Sequence, residues 1–299
     1  MAIDKLVVYG VGLIGGSFAR ALKGAGAVRH VVGIDRSAAA AQRALELGII
    51  DAVGTGPEAI ADADLVLLAT PVAQTGRILA SLLPHLGADT IVTDAGSTKT
   101  DVAAAARAAL GERVTQFVPG HPIAGRETNG PDAAIPDLYR GKKFVVTPLA
   151  ENRAEDVARV TDAWQACGAI IHRLAPEEHD KVFAAVSHLP HLLAYALVDD
   201  IAKKPHADLL FQYAASGFRD FTRIAGSSPE MWRDISLANQ AALLGELDAY
   251  MAQLTNLRAR LAAGDGASLE TVYGNAQRAR RQWIEAIEAA EAPPPDTAE

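Results

Sequence analysis

The first 173 residues alternate short apolar runs with alanine-rich stretches of helical character. The apolar runs are rich in β-branched residues, and several are almost entirely apolar, which is typical of strands covered on both faces. They are KLVVYG (5–10), VVGID (31–35), DLVLLAT (64–70), TIVTDA (90–95), QFVPG (116–120) and KFVVTP (143–148). Because strands that alternate with helices pair in parallel through right-handed crossovers, we predict an α/β domain with a mostly parallel sheet over residues 1–173.

The pattern changes after residue 173, where no further strand pattern is found. Helices are predicted from about 177 to 203, 230 to 263 and 266 to 291. Pro176, Glu177 and Glu178 are typical of a helix start, since acidic side chains favour the positive end of the helix dipole. We therefore expect an all-α domain over residues 174–291 and a disordered tail, APPPDTAE, at 292–299.

Composition narrows the class of protein. The chain has 299 residues, of which 49% are apolar and 21% charged, as expected of a globular protein with a real core. The net charge of −8 and the lack of a long basic run argue against nucleic acid as a partner. A single cysteine, Cys167, excludes an internal disulfide and fits a reducing compartment. Glycines and Asp4 in the N-terminal apolar stretch argue against a signal peptide, and we find no segment long enough to span a bilayer. We expect a cytoplasmic protein without a membrane partner.

The sequence GVGLIG lies directly between the first predicted strand and the first predicted helix. There, Gly10 permits a tight turn, Gly12 lets a pyrophosphate approach the backbone, and Gly15 lets the helix pack against the sheet. Asp35 ends the second strand, where a carboxylate accepts hydrogen bonds from the adenosine ribose and repels a 2′-phosphate. The pattern predicts a Rossmann-type NAD site, although Arg36 leaves NADP open. The alternative is a glycine-rich turn that binds no dinucleotide. The predicted phosphate-binding residues are Gly10, Gly12, Leu13, Ile14 and Gly15.

Three further loops follow strands of the predicted sheet. Ligands of open parallel sheets sit outside the carboxyl ends of the strands, so these loops are expected on the cofactor side. The first carries Thr70 and Pro71, the second carries Ser97, and the third carries His121. Ser97 can cap a helix, or it can hydrogen-bond His121 or the nicotinamide. Pro122 restricts His121 to an extended conformation, so the histidine is either a loop-packing residue or one held for chemistry.

The helical half contains SHLPH, in which His188 and His191 are three residues apart and share a helix face. Pro190 removes a backbone donor, so we expect a kink at this point. The histidines can be packing residues, substrate contacts or a metal pair. A metal site would need a third ligand such as His179, and no carboxylates are arranged to help, so none is predicted.

A second candidate in this half is GFRDFTRIAG, with two arginines four residues apart. If the segment is helical, Arg219 and Arg223 project from one side, and Asp220 can hold Arg223 by a forked hydrogen bond. The cluster is either an anion clamp or a solvated ion-pair face. Nearby aromatic residues favour the clamp.

The chain resembles the prephenate and arogenate (cyclohexadienyl) dehydrogenases of tyrosine biosynthesis. The resemblance rests on five motifs in this order: GVGLIGGS, DAGSTK, GHPIAGRE, SHLPH and GFRDFTRIAGSSPEMWRDI. The resemblance covers nearly the whole chain. It implies that His121 is the catalytic residue that contacts the substrate's ring hydroxyl, with Ser97 supporting it. It also implies that Arg223 binds the ring carboxylate.

The same resemblance implies a wider substrate site in the helical half. His188 and His191 are expected to line the substrate pocket, next to the clamp arginines. Glu127 and Asp220 are expected to form an ionic network with Arg223. Trp232 is expected near the site, contributed either by the same chain or by a dimer partner.

The activity implied by the resemblance is NAD-dependent oxidative decarboxylation of prephenate to 4-hydroxyphenylpyruvate, with arogenate as a second substrate or as the preferred one. A homodimer through the helical domain is also implied. We expect neither a fused chorismate mutase nor an appended regulatory domain. One alternative is a β-hydroxyacid dehydrogenase, but Lys181, Lys203 and Lys204 lie in no convincing glycine-rich motif. Another is a redox-sensing NAD-binding protein without catalysis, which would lack converging charges.

Overall fold

The computed structural model describes residues 3–291, so the predicted tail at 292–299 lies outside the described residues. The strands are β1 (Ile3–Tyr9), β2 (Val28–Ile34), β3 (Ala52–Val53), β4 (Leu65–Leu68), β5 (Ile91–Asp94), β6 (Phe117–Val118), β7 (Gly120–Pro122), β8 (Lys143–Val146) and β9 (Ile170–Arg173). The α-helices are α1 (Leu13–Gly24), α2 (Ala38–Glu46), α3 (Thr75–Leu82), α4 (Thr100–Leu110), α5 (Ala154–Ala166), α6 (Pro176–Phe183), α7 (Leu189–Ala202), α8 (Ala207–Gln212), α9 (Ser216–Thr222), α10 (Pro229–Ala238), α11 (Gln240–Ala262) and α12 (Gly266–Glu291).

A parallel sheet forms the centre of the first half. Within the described residues it has six strands in the order β3-β2-β1-β4-β5-β6, which is the doubly wound order of dinucleotide-binding domains. Leu6 of β1 pairs with Val31 on one side and with Leu65 on the other. Every residue of β4 and β5 is buried, because helices cover both faces of the sheet. The predicted fold class is confirmed.

A smaller sheet of β7, β8 and β9 holds the segment around residue 121. Strand β7 runs antiparallel to β8, with His121 opposite Val145, and β8 runs parallel to β9. The run KFVVTP therefore lies in this second sheet and not in the parallel one. The chain can turn out of β6 here because Gly120 has no Cβ, which would lie 2.1 Å from the ring of Phe144.

Two apolar clusters, one on each side of the parallel sheet, form the core. On the side of α1 and α5, the buried Trp164 ring stacks on Phe144 at 4.3 Å and contacts Phe18 at 4.5 Å. The opposite cluster includes Leu79 of α3 and Val102 of α4, both fully buried. This core holds the carboxyl ends of the strands, and thus the candidate loops, in fixed positions.

The second half contains the predicted helices, with differences at their breaks. The predicted helix over 177–203 is α6 and α7 joined by a π-helical turn, Ala184–His188, which ends two residues before Pro190. Such turns reposition side chains within a helix and occur often at functional sites. The predicted helix over 230–263 is divided at Asn239 into α10 and α11. Helices α8 and α9 were not predicted, since six or seven residues are too few for a clear periodicity.

The expectation that no segment is long enough to span a bilayer is wrong for the second half. The combined stretch Pro176–Ala202 is long and apolar enough to cross a membrane by length and composition alone, with a mean hydropathy of 1.3 over its most apolar window. The same stretch carries buried polar side chains, including His179, Asp180 and His188, that hydrogen-bond within the protein. Those partnerships fit a helix packed against other protein elements.

The chain divides into two compact units, Met1–Leu243 and Leu244–Glu299. In the first unit, the sheets are packed with helices α1 to α10, so all candidate site residues belong to it. The described part of the second unit consists of the remainder of α11 and of α12. The boundary predicted at residue 173 remains a prediction.

Candidate active site

The glycine turn after β1 has the shape that a dinucleotide requires. Gly10 has a φ of +89°, and a Cβ there would lie 2.4 Å from the carbonyl oxygen of Ala69. A Cβ on Gly15 would lie 2.1 Å from the Gly10 carbonyl oxygen, so both glycines are needed for packing. A Cβ on Gly12 would lie 3.7 Å from its nearest neighbour, the Gly130 nitrogen, so there is room for a ligand beside the backbone.

The first turn of α1 is free to bind an anion. Helix α1 begins at Leu13 and has no side-chain cap and no acidic residue in its first turn. Leu13 is buried and Ile14 is half-buried, with the Ile14 carbonyl accepting a hydrogen bond of 2.6 Å from the Tyr139 hydroxyl. The uncapped amides and the helix dipole together favour a phosphate at this end. These residues fit the pyrophosphate of NAD.

Asp35 lies just beyond β2, where its carboxylate is held by backbone amides. Its Oδ2 accepts a hydrogen bond from the Val11 amide at 3.2 Å, and its Oδ1 accepts one from the Ser37 amide at 2.9 Å. The carboxylate is therefore fixed beside the glycine turn, as ribose recognition requires. Arg36 forms a forked ion pair with Glu230 of α10, with atoms 3.3 and 3.2 Å apart.

The loop after β4 borders the same turn. Thr70 lies against Gly10, and its buried hydroxyl has no hydrogen-bond partner among the described residues. Pro71 follows it and precedes a short 3-10 turn, Val72–Gln74, that α10 contacts. A buried hydroxyl without a protein partner is consistent with a ligand group completing its hydrogen bonds.

A buried ion pair ties the loop after β5 to β7. The Lys99 ammonium, with a side chain that is 0% exposed, donates hydrogen bonds to Asp94 and, at 2.8 Å, to the Gly120 carbonyl. Asp94 in turn accepts hydrogen bonds from the Gly96 amide at 2.8 Å and the Gly120 amide at 3.1 Å. Gly120 is thus held through both its backbone groups, which fixes the neighbouring His121.

His121 is the first member of a chain of hydrogen-bonded side chains. Its Nδ1 lies 2.9 Å from Nε2 of His179, and Nδ1 of His179 lies 2.8 Å from a carboxylate oxygen of Asp180. Asp180 also accepts hydrogen bonds of 2.8 Å from the backbone amides of Lys99 and Thr100, at the start of α4. The other ring nitrogen of His121 has no hydrogen-bond partner among the described residues.

The electrostatic setting keeps these histidines neutral. Burial lowers the pKa of His121 well below 6.5, and neighbouring His179, Lys99 and His188 lower it further. Burial also lowers the pKa of His179, although the hydrogen bond to Asp180 opposes this effect. Burial raises the pKa of Asp180, but hydrogen bonds from His179 and two backbone amides lower it overall. Asp180 is therefore an ionised carboxylate, and the His179 and His121 rings beside it are neutral.

His188 and His191 both contact Trp232, as expected of two histidines on one helix face. The His191 ring stacks on Trp232 at 3.5 Å, and the His188 ring meets it edge-on at 6.1 Å. His188 is almost fully buried, and burial lowers its pKa to about 4 even though Asp180 favours the charged ring. Asn239 donates hydrogen bonds to His188 Nδ1 at 3.1 Å and to the Asp180 carbonyl at 2.7 Å.

Two buried donors next to this group have no hydrogen-bond partner among the described residues. They are Nε2 of His188 and Nε1 of Trp232. The backbone of Ser97 favours the protonated ring of His188 and so opposes the effect of burial on its pKa. Of the two origins expected for Trp232, the structure shows the contact within one chain.

The arginine cluster is arranged differently from the sequence prediction. Arg223 forms an ion pair with Glu127, on the loop that begins at His121, and it forms none with Asp220 within residues 3–291. Helix α9 ends at Thr222, so Arg223 begins a 3-10 turn and leaves the helical spacing on which the Asp220 pair depended. Arg219 is exposed and has no hydrogen bond or ion pair in the described part of the chain.

Ser97 is half-buried in the loop after β5, three residues beyond Asp94 and two before Lys99. Its hydroxyl has no hydrogen bond to His121, whose Nδ1 is instead bonded to His179. Its proposed support of His121 or of the nicotinamide therefore remains a prediction.

Sequence reasoning assigned no place in this site to Asp94, Lys99, Asp180 and Asn239, and it considered His179 only as a third metal ligand. Each is buried and polar and bonds to a group far away in the sequence. One signal was available, since His179 and Asp180 begin the long helix predicted from residue 177, whose later turns are largely apolar, and a histidine and an aspartate rarely become buried there without partners.

The class of protein is that of an NAD-dependent dehydrogenase. Its marks are the doubly wound parallel sheet, the glycine turn, the acid after β2 and the neutral histidines beside the strand ends. The family model for the nucleotide-binding domain of prephenate dehydrogenase matches residues 18–173. The family model for the dimerization domain of prephenate dehydrogenase matches residues 175–274. The chain belongs to the prephenate dehydrogenase family.

Individual relatives are similar over most of the chain. The cyclohexadienyl dehydrogenase of Zymomonas mobilis is 38% identical, over 92% of this chain and 94% of that one. The prephenate dehydrogenase of Bacillus subtilis is 36% identical, over 92% of this chain and 74% of that one. Among solved structures, the prephenate dehydrogenase from A. aeolicus, in complex with hydroxyphenyl propionate and NAD+, has a TM-score of 0.87 and 35% identity, covering 95% of this chain and 99% of that one.

Proposed function

We propose that this protein is an NAD-dependent prephenate dehydrogenase, which converts prephenate to 4-hydroxyphenylpyruvate and carbon dioxide in tyrosine biosynthesis. Arogenate is a second substrate in this proposal. Membership of the family and the similarity to a cyclohexadienyl dehydrogenase support both substrates. The β-hydroxyacid dehydrogenase and the non-catalytic sensor have no comparable support.

NAD supplies an acceptor for the hydride that leaves C4 of the substrate. The glycine turn would hold the pyrophosphate, and Asp35 would accept hydrogen bonds from the ribose hydroxyls. The forked pair between Arg36 and Glu230 occupies a guanidinium that could otherwise bind a 2′-phosphate, which favours NAD over NADP.

His121 handles the proton. As the hydride leaves C4, the C4 hydroxyl becomes a carbonyl, and Nε2 of His121 accepts the hydroxyl proton. Loss of carbon dioxide from C1 then returns the electron pair of the broken bond to the ring, which becomes a phenolate. His121 returns the proton to the phenolate oxygen, so atoms and charges balance. Because the ring is neutral near pH 7, its Nε2 is ready to accept the proton, and the low pKa of the charged ring favours its return.

The observation that carries this proposal is that one loop supplies both His121 and Glu127, the ion-pair partner of Arg223. Arg223 is thereby tied to the loop that carries the candidate base, and in this proposal it binds the ring carboxylate before that group leaves. His188, His191 and Trp232 form the adjacent wall of the substrate site. We assign nucleotide binding to residues 1–173 and substrate binding and dimerization to residues 174–291, in line with the two family matches.

A homodimer through the helical half is part of the proposal. Its support is the family's dimerization domain and a set of large apolar side chains that this half leaves exposed. They include Leu209, Phe211, Tyr213, Phe221, Leu237, Met251, Leu261 and Tyr273. Sedimentation equilibrium tests the dimer, and a monomer at micromolar concentration would contradict it. We place the protein in the cytoplasm, where NAD is supplied.

The direct test follows NADH absorbance after adding prephenate or arogenate. Absence of NADH with both acids would refute the proposed function. His121→Asn should lower kcat by about 10²–10⁴-fold and leave NAD affinity unchanged, since the hydrogen bond of the ring goes to His179 and not to the glycine turn. Arg223→Ala should mainly raise KM, by about 10-fold or more, because a charged hydrogen bond contributes about 1.5–3 kcal/mol. Arg233→Ala, on the surface of α10, is the matched control.

A further inference from the structure

The three side chains Asp180, His179 and His121 have only one consistent assignment of protons. An ionised carboxylate can only accept hydrogen bonds, so Nδ1 of His179 must carry a proton toward Asp180. In a neutral ring, Nε2 of His179 is then an acceptor. Because this atom lies 2.9 Å from Nδ1 of His121, the His121 Nδ1 must carry the proton between them.

This assignment leaves Nε2 of His121 with a free lone pair. That atom has no partner among the described residues, so it is available to accept a proton from a ligand. In the opposite tautomer, Nε2 would carry a proton and could not act as a base.

Backbone hydrogen bonds and burial fix Asp180 at one end of the row of hydrogen-bonded side chains Asp180, His179 and His121. Its two oxygens accept the backbone amides of Lys99 and Thr100, and its side chain is 6% exposed. The Lys99 ammonium is already paired with Asp94, so Asp94 is not available to His179. Phe183 packs against both rings, with centroids 5.0 Å from His121 and 4.4 Å from His179. The rings are therefore held in place by packing as well as by hydrogen bonds.

We propose that His179 is a positioning residue which, anchored by Asp180, keeps the proton of His121 on Nδ1 and leaves Nε2 as the base. This inference rests on the proposed function of His121. It assigns to His179 and Asp180 a role that the sequence motifs did not suggest.

Two substitutions of His179 separate this role from a purely structural one. His179→Phe preserves the ring's packing against Phe183 but removes the acceptor for His121. His179→Gln keeps a carbonyl oxygen that can accept the His121 proton. We expect kcat to fall by about 10–100-fold in the Phe variant, as is common for groups that orient a reactive imidazole, and to stay within a few-fold of wild type in the Gln variant. NAD affinity should be unchanged in both.

The tautomer itself can be observed without substrate. Nitrogen NMR of the protein labelled at histidine should show His121 with a protonated Nδ1 and an unprotonated Nε2, and a mixture of tautomers in His179→Phe. His172→Asn, at an exposed position on β9, is the control for a lost histidine. A wild-type His121 protonated on Nε2, or equal kcat values in the Phe and Gln variants, would overturn the proposal. Because the NMR result needs no turnover, it also separates failure of this inference from failure of the proposed function.

Discussion

Replacing Lys99 by methionine tests the buried ion pair that fixes the loop of His121. The Lys99 side chain is 0% exposed and that of Asp94 is 2% exposed, so the substitution leaves a buried carboxylate without its cation. Removing one member of a buried pair costs about 3–5 kcal/mol. Asp94 keeps its hydrogen bonds from the Gly96 and Gly120 amides, so we expect the lower end, about 3 kcal/mol.

The loss has a second component on β7. The Gly120 carbonyl loses the Lys99 donor and remains buried without it, and that residue directly precedes His121. A free energy loss of about 3 kcal/mol corresponds to a decrease in Tm of roughly 6–12 °C for a unit of this size. We also expect kcat to fall, because β7 is less firmly held.

Urea unfolding followed by far-UV circular dichroism measures the free energy, and NADH formation measures kcat. Lys143→Met, at an exposed position, is the control for lost charge. The double variant Asp94→Asn, Lys99→Met should recover part of the loss, because no uncompensated charge remains. A Lys99→Met protein within about 0.5 kcal/mol of wild type, or a double variant less stable than the sum of the single changes, would refute the reasoning.

Three further results are expected. His188 has a pKa of about 4 in the folded protein and about 6.5 in the unfolded chain, so as pH falls the unfolded chain is protonated first. The contribution of this residue to the free energy of unfolding should be complete above about pH 6.5 and should fall by about 3 kcal/mol as pH drops to about 4. His188→Gln should reduce this dependence on pH in urea titrations. Gly10→Ala should abolish NAD binding in a fluorescence titration, since its Cβ would lie 2.4 Å from the Ala69 carbonyl oxygen; binding at wild-type affinity would contradict the turn geometry. Glu230→Gln should raise kcat/KM for NADP by about two- to fivefold and leave that for NAD unchanged, because it releases the exposed Arg36 from its pair; an unchanged ratio of the two cofactors would remove Glu230 from specificity.

Much of the fold could be predicted because its signals are local. Runs of apolar residues predicted the principal strands of the parallel sheet, and the glycines at positions 10, 12 and 15 predicted the turn after β1. Two-residue strands such as β3 and β6 and short helices such as α8 carry too few residues for a periodicity. The pairing of Asp220 with Arg223 failed for a related reason, since it assumed that α9 continued past Thr222.

The site required the tertiary structure. Its central contacts join His121 to His179, Lys99 to Gly120 and Arg223 to Glu127, and the last of these is 96 residues apart in the sequence. Such contacts depend on which loops the sheet order brings together and on which polar groups burial forces to pair.

The sequence by itself determined the class of fold, the cofactor-binding turn and the identity of His121 and Arg223 as candidates, because each follows from residue type and spacing along the chain. The tertiary structure alone decided which nitrogen of His121 is free, which acid holds Arg223 and which groups hold Gly120. Those properties arise from desolvation and hydrogen bonding among distant residues, and both exist only once the core has closed around them.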